Sequence, residues 1–95
     1  MSLNITNSSV SNQAVTLTST EVLSEERRIG ASFVNLSTVD AYILLGDGTA
    51  SATNYTVKLA TGGNDIYETP YNYSGPVQVV FSASGTGDLV ITKFN

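Results

Sequence analysis

The chain has no cysteine, no histidine and no tryptophan. Without cysteine, no disulfide can staple the fold and no thiolate is on hand as nucleophile or metal ligand. Without histidine, acid–base catalysis loses its usual carrier, and only two carboxylates held across a cleft could replace it. Asp65 and Glu68 are close in sequence, but three positions apart on a strand they face opposite ways. Charge is also scarce, at 13% of residues, and lysine and arginine together number four. Four cations neutralise few phosphates, so nucleic acid is not an expected partner. No apolar run approaches the roughly 20 residues of a membrane span, and the polar N-terminus has no signal-peptide pattern. The residues thus argue against an enzyme, a cofactor and a membrane partner.

What is present is serine, threonine and asparagine, roughly a third of the 95 residues, on a background that is 41% hydrophobic. Thr, Val, Ile and Tyr suit pleated strands; Gly, Asn, Asp and Ser suit turns. Ninety-five residues make one domain. Its core is modest, since a chain of this size buries only about 60–65% of its unfolded surface.

Alternation of apolar and polar residues marks strands at 13–18, 29–36, 39–46, 55–59, 65–69, 76–83 and 88–94, with a short piece at 20–24. Within 39–46, Val39, Ala41, Ile43 and Leu45 share one face. In 55–59, Tyr55, Val57 and Leu59 face inward. Residues 46–54 read as a loop with no apolar anchor larger than alanine, and 84–87 as a hairpin loop between the last two strands. Residues 1–12 are polar and read as an extended arm, lying on the domain or on a neighbour, ahead of a domain over 13–95. The expectation is all-β: a single antiparallel β-sandwich, jelly-roll-like or Ig-like, of seven or eight short strands.

The outer positions of several strands hold Tyr42, Leu44, Val80, Val90 and Phe94, where a solvated face should be polar. Strict alternation keeps them out of the core formed by Ile43, Val79, Phe81 and Ile91. Either the arm covers this second face or another subunit does; scattered surface apolars are the plainer alternative. Glu25-Glu26-Arg27-Arg28 is either a solvated turn that keeps an edge from pairing or a docking point through its two arginines. Asp40, Asp47, Asp65 and Asp88 show no calcium-loop spacing, and the sequons at Asn4, Asn7, Asn35, Asn54 and Asn72 arise readily in such a composition.

The segment 67–76 crowds Tyr67, Tyr71 and Tyr73 around Pro70 and Pro76. Two prolines remove ladder donors, so the chain must turn here at a sandwich end. If the backbone between them is extended, Tyr71 and Tyr73 point the same way and form an interface anchor. A sugar-stacking site with Asn72, or rings that simply plug the sandwich end, are the other readings.

Several stretches resemble the small β-sandwich structural proteins of tailed bacteriophages, which serve as head decoration (cement), head-fibre or neck-associated proteins. A basic residue leads into a strand ending in Asn, from Arg28 to Asn35. Tyr42 to Gly46 follow as a Y-x-x-L-G strand. Then come Tyr67, Glu68, Pro70, Tyr73, Gly75 and Val77, and lastly Gly87, Leu89, Ile91 and Thr92. The resemblance covers about residues 20–95 and excludes the arm. It implies a non-catalytic virion component, present in many copies and often trimeric; the expected place is the capsid surface, bound to the major capsid protein or another virion protein. Tyr42, Leu44, Tyr71, Tyr73, Val80, Val90 and Phe94 are the expected contact residues. A glycan-binding or adhesion module is the alternative.

Overall fold

The computed structural model describes residues 7–95, all of whose regular structure is β. Eight strands follow in order: β1 (Ser8–Ala14), β2 (Thr20–Leu23), β3 (Gly30–Asn35), β4 (Ala41–Leu45), β5 (Val57–Leu59), β6 (Ile66–Glu68), β7 (Val77–Phe81) and β8 (Asp88–Phe94). They form two four-stranded antiparallel sheets, ordered β1-β8-β3-β6 and β2-β7-β4-β5.

In this order first pairs with last, second with seventh, third with sixth and fourth with fifth. That is a long hairpin rolled up on itself, the double Greek key of a jelly roll. Of the two sandwich types suggested by the sequence, the immunoglobulin-like one is thereby set aside. The hairpin expected at 84–87 is also corrected: β7 and β8 belong to different sheets, and residues 82–87 carry the chain between them. Thr38 pins this crossing, donating its N–H to the Thr86 carbonyl (3.0 Å) and accepting the Thr86 N–H on Oγ1 (3.0 Å).

The core is what alternation demands. Ala31 and Phe33 of β3, Ala41 and Ile43 of β4, Val77, Val79 and Phe81 of β7, and Leu89 and Ile91 of β8 meet between the sheets, all buried. Val39, Leu45 and Val57 are half-buried against them. Tyr55, expected inward, is instead exposed and lies outside β5, its ring 5.0 Å from that of Tyr42.

One polar group sits in this core. The Asn35 side-chain amide donates to the carbonyls of Val39 (2.8 Å) and Leu59 (2.9 Å), and its Oδ1 accepts from the Ser37 N–H (3.0 Å) and hydroxyl (2.7 Å). Asn35 closes β3 in one sheet and Leu59 closes β5 in the other, so this fully buried amide ties the sheets together. Every lone pair and proton it carries has work here, which is why the core tolerates it.

The N-terminal region divides. Residues 8–12, expected to be part of an arm, form most of β1 and pair with β8 in unbroken register; residues 1–6 lie outside the described residues. The strand expected over 13–18 therefore begins and ends earlier. Beyond Ala14, Val15 packs on the core while Leu17 is exposed.

Candidate functional site

The expected contact residues do not share one surface. Tyr42, Leu44 and Val80 lie on the outer face of the β2-β7-β4-β5 sheet, where Tyr42 opposes Val80. Val90 and Phe94 lie on the outer face of the other sheet, because their neighbours Leu89 and Ile91 point inward. The two groups are on opposite sides of the sandwich.

Part of the first group is covered by the chain's own β4–β5 loop. Ala50 is only 3% exposed, and its N–H donates to Ser19 Oγ (2.9 Å) just before β2. A methyl group placed on Gly48 would touch Leu44, at 3.4 Å. The loop thus folds back over the outer face from β4 toward β2, and Val80, an outward residue, is left 8% exposed. A tight turn at Ser51–Asn54 closes the flap through mutual backbone bonds of 3.0 and 3.1 Å. What is left open on this face is polar and aromatic: Tyr42 with Tyr55 beside it, and Lys58, whose ammonium lies 3.4 Å from Asp40 and 5.9 Å from the Tyr42 ring centre.

The tyrosine corner is assembled from two segments. Thr69 ends β6 by giving its N–H to the Ala31 carbonyl (2.9 Å) and accepting the Ala31 N–H on Oγ1 (3.0 Å). Pro70 then forbids further ladder, and Tyr73 N–H closes a turn onto the Pro70 carbonyl (3.0 Å). Inside the turn Asn72 takes a left-handed backbone, φ 64°, and donates to the Ile29 carbonyl (2.8 Å). This bend separates Tyr71 from Tyr73, so the extended geometry that would align them is absent. Tyr73 packs on the core edge and donates its hydroxyl to the Pro76 carbonyl (2.7 Å), while Tyr71 stays 55% exposed. Tyr67 turns inward, its ring centre 6.1 Å from that of Phe33.

Arg28 holds the corner from beneath. Its side chain is buried, with Nη1 donating to the carbonyls of Ser24 (3.1 Å) and Glu26 (3.5 Å) and Nη2 to that of Gly75. Its guanidinium lies 5.8 Å from the Tyr73 ring centre. Neither sequence reading of the Glu25–Arg28 run anticipated this: one arginine is an internal staple, and only Arg27 is exposed. Burial raises the Tyr67 hydroxyl pKa, with the neighbouring Tyr73 adding to the effect. Burial likewise raises that of Tyr73, opposed by Arg28 and reinforced by Asp47 and Glu25. Both hydroxyls stay protonated near neutrality, as a donor to the Pro76 carbonyl must.

Two shallow depressions flank the exposed Tyr71 ring. One, of about 270 Å³, is lined by Ile29, Glu68, Thr69, Tyr71 and Phe94. The other, of about 400 Å³, is lined by Arg27, Arg28, Ile29, Tyr71, Asn72 and Asn95. Tyr71 of the corner and Phe94 of the sheet face meet in the first depression. Among the described residues, no three acidic side chains gather as a metal site would require. No protein-family model, curated protein or solved structure matches the chain.

Proposed function

We propose that this chain is a non-enzymatic structural protein of a tailed-bacteriophage virion, a decoration (cement) protein that binds and stabilises the head shell. The observation that carries this reading is the role of the residues on which the resemblance rests. Arg28, Asn35, Tyr73 and Gly75 all serve the framework: staple, cross-sheet tie, plug and close-approach point. They hold up a rim on which Tyr71 is presented beside Phe94, Ile29 and Glu68. An amphipathic ring on a loop fixed by Pro70 and the Asn72–Ile29 bond loses little entropy on docking, as an interface anchor should. The jelly-roll order supports the same reading, since it recurs in viral capsid domains.

The jelly roll recurs in lectins too. Tyr71 between Glu68 on one side and Arg27 and Asn72 on the other favours a glycan-binding module as the second reading. Shells assembled without the chain, mixed with purified protein, should take it up in saturating amounts and then resist heat or chelator better than bare shells. Uptake should fall with Tyr71→Ala. Glycan-array binding without shell uptake would replace the first reading with the second.

A further inference from the structure

A jelly roll leaves four strand edges, and three of them here are blunted. β2 carries a register break between Glu21 and Leu23. β5 is three residues long with Lys58 at its centre, and β6 is three residues long, ending at Glu68 just before Pro70. Short length, charge, proline and bulges are the usual devices against edge-to-edge pairing.

β1 has none of them. It is seven residues, Ser-Ser-Val-Ser-Asn-Gln-Ala, uncharged and without proline, in continuous register with β8. Among the described residues no strand pairs with its other edge. Asn7 and Asn95 exchange both of their backbone bonds (3.2 and 2.9 Å). By antiparallel alternation, Ser9, Ser11 and Gln13 then face β8, and Ser8, Val10, Asn12 and Ala14 aim their N–H and C=O groups at the open edge. Both faces of β1 are exposed as well, apart from a half-buried Gln13, with Val10 at 64%. With neither face of β1 covered among the described residues, a second strand has room to pair along its edge.

We propose that β1 pairs with β1 of a second copy of this chain, antiparallel about a two-fold axis through Ser11. Ser8 then opposes Ala14 of the partner and Val10 opposes Asn12, forming about eight backbone hydrogen bonds. The facing positions share parity, so the outer faces of the two sheets continue into one another as an eight-stranded sheet. A second copy is the occupant that the sequence suits. Pairing a strand with its own copy doubles any charge along the seam, most closely around Ser11, and residues 7–18 contain no charge. The proposal is independent of the virion reading and differs from the trimer that the resemblance implies.

Sedimentation of the full chain over a concentration series tests it. The mass should rise from 10.0 kDa to about twice that value. Val10→Pro should hold the protein at one chain's mass. The Val10 N–H points to the open edge, so proline there removes no bond to β8. Asn12→Lys should act in the same way by charge, which keeps the test intact if the proline variant misfolds. Amide exchange at Val10 and Asn12 should slow as concentration rises, while that at Ser11 stays unchanged. A wild-type mass of one or three chains at every concentration would overturn the proposal, as would a dimer that survives both substitutions.

Discussion

Replacing Asn35 by alanine should be among the most damaging single changes open to this chain. The side chain is fully buried and serves three backbone groups: the Val39 and Leu59 carbonyls and the Ser37 N–H. Alanine leaves all three buried without their partner, and each orphaned group costs about 1–3 kcal/mol. The Ser37 hydroxyl, 2.8 Å from the Val39 carbonyl, can still satisfy one of them. That leaves two, so the loss should be about 3 kcal/mol, before any cavity term. A 95-residue domain has about 5–14 kcal/mol in total. The melting temperature should therefore fall by roughly 12–24 °C. Urea unfolding followed by far-ultraviolet circular dichroism measures the loss, with Asn64→Ala, at an exposed position, as the control. A loss below about 1 kcal/mol for Asn35→Ala would refute the claim that this amide joins the two sheets.

Other substitutions read different parts of the structure. Gly75→Ala places a Cβ 2.6 Å from the Tyr73 hydroxyl, so it should cost about 1–3 kcal/mol in chemical denaturation as overpacking does. Tyr73→Phe removes one of the two donors to the Pro76 carbonyl, which keeps the Gly46 N–H (2.8 Å), and should cost about 0.5–1.5 kcal/mol. Tyr71→Ala should change stability by no more than about 0.5 kcal/mol, yet weaken shell binding by about 1–3 kcal/mol, read as occupancy on titrated particles. The tyrosine shifts give a pH dependence. Folded pKa values raised above the ordinary 10.0 mean that the folded state resists ionisation. Stability from these groups is thus intact below pH 10 and lost as pH climbs through the folded values. Alkaline melts should show a decline that Tyr67→Phe with Tyr73→Phe makes shallower.

The strands were legible where one face is buried, because burial is what imposes alternation. β3, β4, β7 and β8 stand within two residues of their expected positions, with the expected residues inward. Residues 8–12 of β1 read as an arm because both faces of the strand meet solvent, so Ser-Ser-Val-Ser-Asn shows no alternating pattern. The crossing at 82–87 looked like a hairpin because a sheet-to-sheet connection uses the same glycine and serine as a tight turn. The contact residues were harder still. Parity says that Tyr42 and Val90 both face outward, but not that their strands lie in different sheets. The flap over Val80 hangs on Ala50, whose only sequence signal is a small apolar residue in a polar loop. Arg28 carried no mark of burial, since nothing in a run of four charges says which one meets three carbonyls.

The account rests most heavily on this chain being a building block of a particle. Quantitative mass spectrometry of virions purified from a host that carries the chain's gene tests that directly. The account predicts the chain in many copies per particle, in fixed ratio to the major capsid protein. Recovery only in the soluble fraction, with none on intact heads, would contradict it.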